Sequence, residues 1–122
     1  MPFRPVDSLL PLTPIAFEIL MALLDDDRHG YAVLQHVEQR VGSALPLRTG
    51  TLYRALARLM DDGLIEEASA TSAAEKDDPR RRYYRITPLG RNTAAAEARR
   101  LEDQVAAARR HKLLSGTRGS QK

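Results

Sequence analysis

Arg48-Thr49-Gly50-Thr51-Leu52-Tyr53-Arg54-Ala55-Leu56-Ala57-Arg58-Leu59 is the stretch on which the fold of this chain turns. At about 100° per residue of helix, Leu52, Leu56 and Leu59 fall within one narrow arc. Thr51, Arg54 and Arg58 cluster on the opposite side, and Tyr53 lies on a flank. From Arg48 to Met60 there are three arginines and no acid. The pattern predicts a helix over roughly Thr49 to Asp62, ended by Gly63, with an aliphatic back and a cationic front. Such a front suits the major groove of DNA: arginine pairs bidentately with guanine or with phosphate, and Thr and Tyr hydroxyls reach bases or phosphates. A solvated surface helix that carries arginines for solubility fits the same pattern.

Two helices are expected before it. Thr13-Pro14 reads as a helix start, because Thr caps free N–H groups and Pro is tolerated where its missing N–H has no partner. The first helix runs to about Leu24 and is apolar almost all round, so it needs cover on more than one side. Part of that cover is expected from a second subunit. Asp25-Asp26-Asp27 ends it, as a turn that helps solubility, and His29-Gly30-Tyr31 opens the second helix. Leu34, Val37 and Val41 form one apolar stripe there, and Gly42 stops it.

After Gly63 the pattern changes. Leu64–Ala68 suits a short strand and Arg81–Ile86 a second one, with Tyr84 and Ile86 on one face. Residues 69–80 between them are small or charged and read as a loop, mobile at its tip. Together they predict an antiparallel hairpin. Lys76, Arg80, Arg81, Arg82 and Arg85 load one strand and its loop with positive charge, and Glu75, Asp77 and Asp78 offset some of it. Like charges along a strand repel unless a polyanion screens them. Protection of an edge strand explains one or two such charges better than a run of three arginines. Three helices followed by a cationic hairpin describe a winged helix-turn-helix, in which the recognition helix enters the major groove and the wing touches backbone or minor groove.

Thr87-Pro88 repeats the cap-plus-proline device, and the next residues, to about Leu114, are rich in Ala, Arg, Glu and Leu. A helix of about 25 residues is roughly 37 Å long, too long for a domain of this size to cover. Ala94, Ala98, Leu101, Val105 and Ala108 recur in steps of four and three, a short coiled-coil-like seam. The expected organisation is a flexible arm at 1–12, a DNA-binding domain at 13–86, a dimerisation helix at 87–114 and a disordered tail at 115–122. The fold class is mainly α with a small β-hairpin.

The 122 residues suit one compact domain with an appendage. There is no Cys, which removes disulfides, thiolate metal sites and Cys nucleophiles. The one long apolar run, Ile15–Leu24, is too short to span a bilayer, and the first residues lack the apolar core of a signal peptide. A soluble cytoplasmic protein is expected. His29, His36 and His111 have no carboxylate or third histidine at ligand spacing, and no nucleophile–base pair or phosphate loop stands out. No metal, no cofactor and no enzymatic activity are therefore expected.

Four segments in order carry a resemblance: His29-Gly30-Tyr31; Gly50-Thr51-Leu52-Tyr53 with Leu56 and Leu59; Asp62-Gly63-Leu64-Ile65; and Arg82-Tyr83-Tyr84-Arg85-Ile86-Thr87 with Gly90-Arg91. At this spacing the chain resembles the PadR-like transcriptional regulators over roughly Leu12 to Lys112. The resemblance implies a bacterial DNA-binding homodimer, usually a repressor, whose C-terminal helix pairs with the partner's N-terminal and C-terminal helices. A single C-terminal helix is similar to the short subgroup of that family. Many members have Pro where this chain has Arg54. Some short members stack flat aromatic drugs on tryptophans in the dimer cavity, whereas this chain has no Trp.

The expected DNA contacts are Arg48, Thr49, Thr51, Tyr53, Arg54 and Arg58 on the recognition helix and Arg80, Arg81 and Arg82 on the wing. Tyr53 is assigned to DNA backbone in preference to packing beneath the second helix. Tyr31, Tyr84 and Ile86 are assigned to the core, and Gly50 to close approach of the second helix or of phosphate. The expected dimer interface is Phe17, Leu20, Ala94, Ala98, Leu101, Val105 and Ala108. The expected partners are double-stranded DNA on a roughly palindromic operator, a second copy of the chain, and a small-molecule effector that the residues do not identify. The alternative is a winged helix used as a protein–protein adaptor.

Overall fold

A computed structural model describes residues 6–68 and 82–114. Helix α1 spans Pro14–Ala22, and the Thr13 hydroxyl caps it by accepting from the Ala16 N–H at 3.1 Å. Strand β1 is Arg28–His29, and α2 follows at once as Gly30–Val41. His29 caps α2 by accepting the Ala32 N–H on Nδ1 at 3.2 Å. Helix α3 is Thr49–Asp61, β2 is Ile65–Ala68, β3 is Tyr83–Ile86 and α4 is Pro88–Arg110. The result is a mainly helical winged helix-turn-helix with a long C-terminal helix, as the sequence implies.

The expected hairpin is one strand short. The sheet has three antiparallel strands in the order β1-β3-β2. Arg28 pairs with Tyr84 and His29 with Tyr83. Two residues carry too little alternation to read as a strand. Their pairing comes from tertiary placement, and it fixes the start of α2 to the stem of the wing. His29 also lies edge-on to the Tyr83 ring at 5.4 Å, and Tyr83, Tyr84 and Ile86 are all buried.

The core forms around α1, which packs on α2, α3 and α4. Ile19, Leu20, Ala22 and Leu23 are buried there with Val33, Val37, Leu52, Leu56 and Leu59. Each fully buried Leu or Ile contributes roughly 1.5–3 kcal/mol of transfer free energy. Glu18 is also buried and meets Arg40 of α2 through two hydrogen bonds, Nε at 2.7 Å and Nη2 at 2.6 Å. This ion pair ties α1 to α2, and Glu18 pulls the Arg40 guanidinium pKa further up.

Two junctions set the angle between α3, the wing and α4. At the end of α3, Leu64 N–H reaches Leu59 O at 2.9 Å and Gly63 N–H reaches Met60 O at 3.0 Å, with Gly63 at φ 78. These bonds close a left-handed helix stop that glycine adopts without penalty. At the start of α4, the Thr87 hydroxyl donates to Gly63 O at 2.7 Å and accepts from Gly90 N–H at 3.0 Å. A Cβ on Gly90 would overlap the Leu64 carbonyl and sit 2.7 Å from Ile86 Cγ1.

The described part of the expected flexible arm is tethered. Val6–Leu9 forms a short 3-10 helix against α4, and Leu12 N–H donates to the Glu97 carboxylate at 3.1 Å. Glu97 is buried and takes two further hydrogen bonds from Arg100, at 3.0 and 2.7 Å. Arg100 holds the Glu97 carboxyl below its ordinary range; burial opposes this, and the Leu12 N–H and the Arg100 charge reinforce it. A lowered carboxylate pKa stabilises the fold above the unfolded value, and that stabilisation is lost as pH falls through the folded value.

Two outcomes follow from these contacts. Gly90→Ala meets backbone that has no room to yield, so denaturant unfolding is expected to show a loss of about 3 kcal/mol. Glu97→Gln is expected to be less stable than the parent chain at pH 7 in urea titration. The difference shrinks as the pH falls below about 4, near and under the ordinary Glu pKa; a constant difference across pH would show that the carboxylate charge is not what ties the arm.

Candidate nucleic-acid interface

Helix α3 presents its two faces as the helical periodicity requires. Leu52, Leu56 and Leu59 are buried, while Arg48, Thr49, Tyr53, Arg54 and Arg58 are exposed and Thr51 is half-buried. The structure thus brings all six recognition-helix candidates onto one element. Arg54 Nη2 lies 3.5 Å from the Thr51 hydroxyl, and Arg58 makes a 3.7 Å ion pair with Asp62 one turn on. A pair this long, with its arginine largely in solvent, holds little free energy, so both guanidiniums remain available to a stronger anion. Arg48 stands at the N-cap without a side-chain cap bond, and the first turn has no acid. The positive end of the helix dipole is therefore not offset locally.

Tyr53 is 47% exposed, yet its ring also packs over Gly30 at the start of α2. The sequence assigns it to DNA backbone in preference to packing beneath the second helix; the ring does pack against the start of α2, and about half of the residue stays open to solvent. Tyr31 corrects the core assignment: it is 57% exposed. It occupies the first turn of α2, where one residue of offset turns a side chain by about 100° and away from the core stripe. Tyr31 is thus a surface aromatic that the apolar pattern of α2 did not reveal. For Gly50, one of the two expected neighbours, the second helix, is corrected. A Cβ there would meet only Arg54 Nη1, at 3.4 Å, so α2 does not approach it.

The wing changes the electrostatic picture. Arg80, Arg81 and Lys76 lie outside the described residues. Arg82 is exposed and pairs with Glu67 at 3.2 Å. Arg85 pairs with Asp27 at 3.2 Å and with its cross-strand neighbour Glu66 at 3.9 Å. Carboxylates on β2 and on the turn after α1 therefore offset the stem arginines, and no polyanion is needed to explain their closeness. Burial raises the Tyr84 phenol pKa, and neighbouring Tyr53 and Glu67 add to this against the lowering effect of Arg82.

The expected dimer residues separate into two groups. Leu20 is 0% exposed and Ala94 is buried, both within the core of a single chain. They are corrected out of the partner-facing set, because the chain's own core already covers them. Ala98 and Val105 are exposed, and Phe17, Leu101 and Ala108 are half-buried. Ala98, Leu101 and Val105 line a shallow, open, mostly apolar depression on α4 together with Arg99 and Glu102. Among the described residues, no group of three His, Cys, Asp or Glu side chains is placed to hold a metal. No described helix is long and apolar enough to cross a membrane.

The model of the Transcriptional regulator PadR-like family matches residues 19–96. The chain belongs to this family. An uncharacterized protein of Lysinibacillus sphaericus is 36% identical over 73 residues; the match covers 60% of this chain and 64% of that protein. The chain thus spans less than two thirds of that relative. A PadR family transcription regulator from Clostridium difficile R20291 is similar in fold, with a TM-score of 0.67 at 24% identity over 81% of this chain and 98% of that one. A transcriptional regulator from Clostridium thermocellum gives 0.66 at 26% identity, covering 79% and 87%. A PadR-like regulator from Bacillus cereus gives 0.64 at 21% identity, covering 90% and 96%. The match of residues 19–96 takes in α2, α3, the wing and the start of α4, where every described candidate for DNA contact lies.

The two faces of α3 are separable by stability. Arg58→Ala is expected to leave the thermal unfolding midpoint unchanged, while Leu56→Ala is expected to cost about 2–5 kcal/mol in chemical denaturation. An equal loss for both would place the cationic side of α3 inside the fold.

Proposed function

We propose that this PadR-like protein is a sequence-specific DNA-binding transcriptional regulator, acting as a homodimeric repressor. The observation that carries the reading is the exposed face of α3, where Arg48, Thr51, Tyr53, Arg54 and Arg58 stand over a buried leucine back. An arginine-rich helix face of this shape fits the major groove, with guanidiniums on guanine or phosphate. In a two-fold dimer the two α3 helices reach successive major grooves about one helical turn apart, on a roughly palindromic operator. Residues 13–86 then read DNA and 87–114 pair the chains. Arg80, Arg81 and Arg82 of the wing are assigned to the phosphate backbone. Repression works by occupying promoter DNA, within the bacterial cytoplasm.

The proposed pairing surface is Ala98, Leu101, Val105 and Ala108 of α4, continued by Phe17 of α1. These residues are left partly open in one chain, and the seam spacing aligns them. A small-molecule effector that changes the angle of α4 would alter half-site spacing and release the operator.

Selection of bound duplexes from a random-sequence pool tests the DNA reading. The expected result is a two-fold-symmetric site, with Arg54→Ala and Arg58→Ala each weakening binding by about 1–3 kcal/mol where the side chain makes a bidentate base contact. Binding is expected to weaken steeply with salt, as counterion release demands. If neither variant nor salt changes DNA binding, the chain is a winged-helix adaptor for another protein. Leu101→Glu and Val105→Glu are expected to dissociate the dimer in light scattering. A Val105→Glu protein that stays dimeric would put the seam on another face.

A further inference from the structure

Gly30 opens α2, and its place there is not explained by backbone conformation. Among the described glycines only Gly42 and Gly63 have positive φ, so an L side chain at position 30 meets no backbone strain. Alanine is also the better helix former. What excludes a side chain at position 30 is space. A Cβ there would overlap the Tyr53 hydroxyl and sit 2.8 Å from Cζ and 2.9 Å from Cε1 of the same ring. These are the closest atoms it would meet, and all belong to one side chain.

The backbone under Gly30 has little freedom to retreat. His29 caps α2 and pairs with Tyr83 of β3, and Arg28 pairs with Tyr84 and hydrogen-bonds Ala22 O at 2.6 Å. Tyr53, in contrast, is half open to solvent and sits on the outer flank of α3. The side chain that yields to an added methyl is therefore Tyr53. Gly90 is the useful contrast: a Cβ there meets a carbonyl of the chain itself, which cannot swing away.

We propose that Gly30 is a positioning residue for DNA binding: the absence of a Cβ at the start of α2 seats the Tyr53 ring and so aims its hydroxyl. This rests on the reading of α3 as the DNA-contacting helix. Helix α2 thereby acts on the recognition surface without touching DNA at this position, and the seat links α2, α3 and the base of the wing.

A double-mutant cycle tests it, with Gly30→Ala, Tyr53→Ala and the pair measured on a duplex selected by the parent chain. Gly30→Ala is expected to fold with an unchanged unfolding midpoint and to shift the Tyr53 ring resonances in NMR. It is expected to weaken binding about fivefold or more, as loss of one DNA contact does. In the Tyr53→Ala background it is expected to cost nothing further, because the ring it displaces is gone. The proposal is overturned if Gly30→Ala binds like the parent chain while Tyr53→Ala does not. It is equally overturned if Gly30→Ala weakens binding to the same extent in both backgrounds. A parent chain that selects no duplex overturns the DNA reading itself, and this outcome is distinct because the ring shift is still read without DNA.

Discussion

Helix α1 has no face that it can leave in water. Ile19, Leu20, Ala22 and Leu23 are covered by α2, α3 and α4, and Glu18 is buried beside them. A nine-residue helix this apolar is stable only when neighbours surround it. The other helices take their places as its cover. Leu52, Leu56 and Leu59 of α3 face inward for this reason, and so Arg54 and Arg58 face outward. The proposed DNA surface is the reverse side of a packing requirement. Glu18 adds direction, since the two hydrogen bonds it accepts from Arg40 hold α2 against α1 in one register.

Electrostatics then separate the surface by element. A net charge of +3 is small, but it is not spread evenly. On the described stem of the wing, Glu66, Glu67 and Asp27 offset Arg82 and Arg85. On α3, Arg48 has no ion-pair partner among the described residues, and Arg58 has one long pair, with Asp62. Between the described stem of the wing and α3, the cations of α3 are therefore the less neutralised set. Surface pairs of the wing type contribute little to stability, but they lower the local potential that would steer DNA.

Much of this was legible in the chain, and the limits have physical causes. Thr13-Pro14, Thr87-Pro88 and Gly63 announce their helix ends because capping is local chemistry between near neighbours. The three leucines of α3 announce its buried face because helical periodicity repeats. Strand β1 was not legible, since Arg28–His29 become a strand only when Tyr83 and Tyr84 arrive beside them. The ion pairs of the wing were hidden for the same reason: Asp27 meets Arg85 across 58 positions of sequence. Ala94 looks like a seam residue by spacing and Leu20 lies on a helix apolar all round, but neither pattern can say which chain covers the residue. Tyr53 packs over Gly30 at the start of α2, a contact that no periodicity in α2 or α3 announces.

The central claim is that the outward face of α3 is where this protein meets DNA. NMR titration of the parent chain with its selected duplex tests it most directly, residue by residue. The account predicts that the largest shifts fall on Arg48, Thr51, Tyr53, Arg54 and Arg58, while the outer face of α4 at Ala98 and Val105 stays unperturbed. Shifts concentrated on α4, with α3 unchanged, would contradict it.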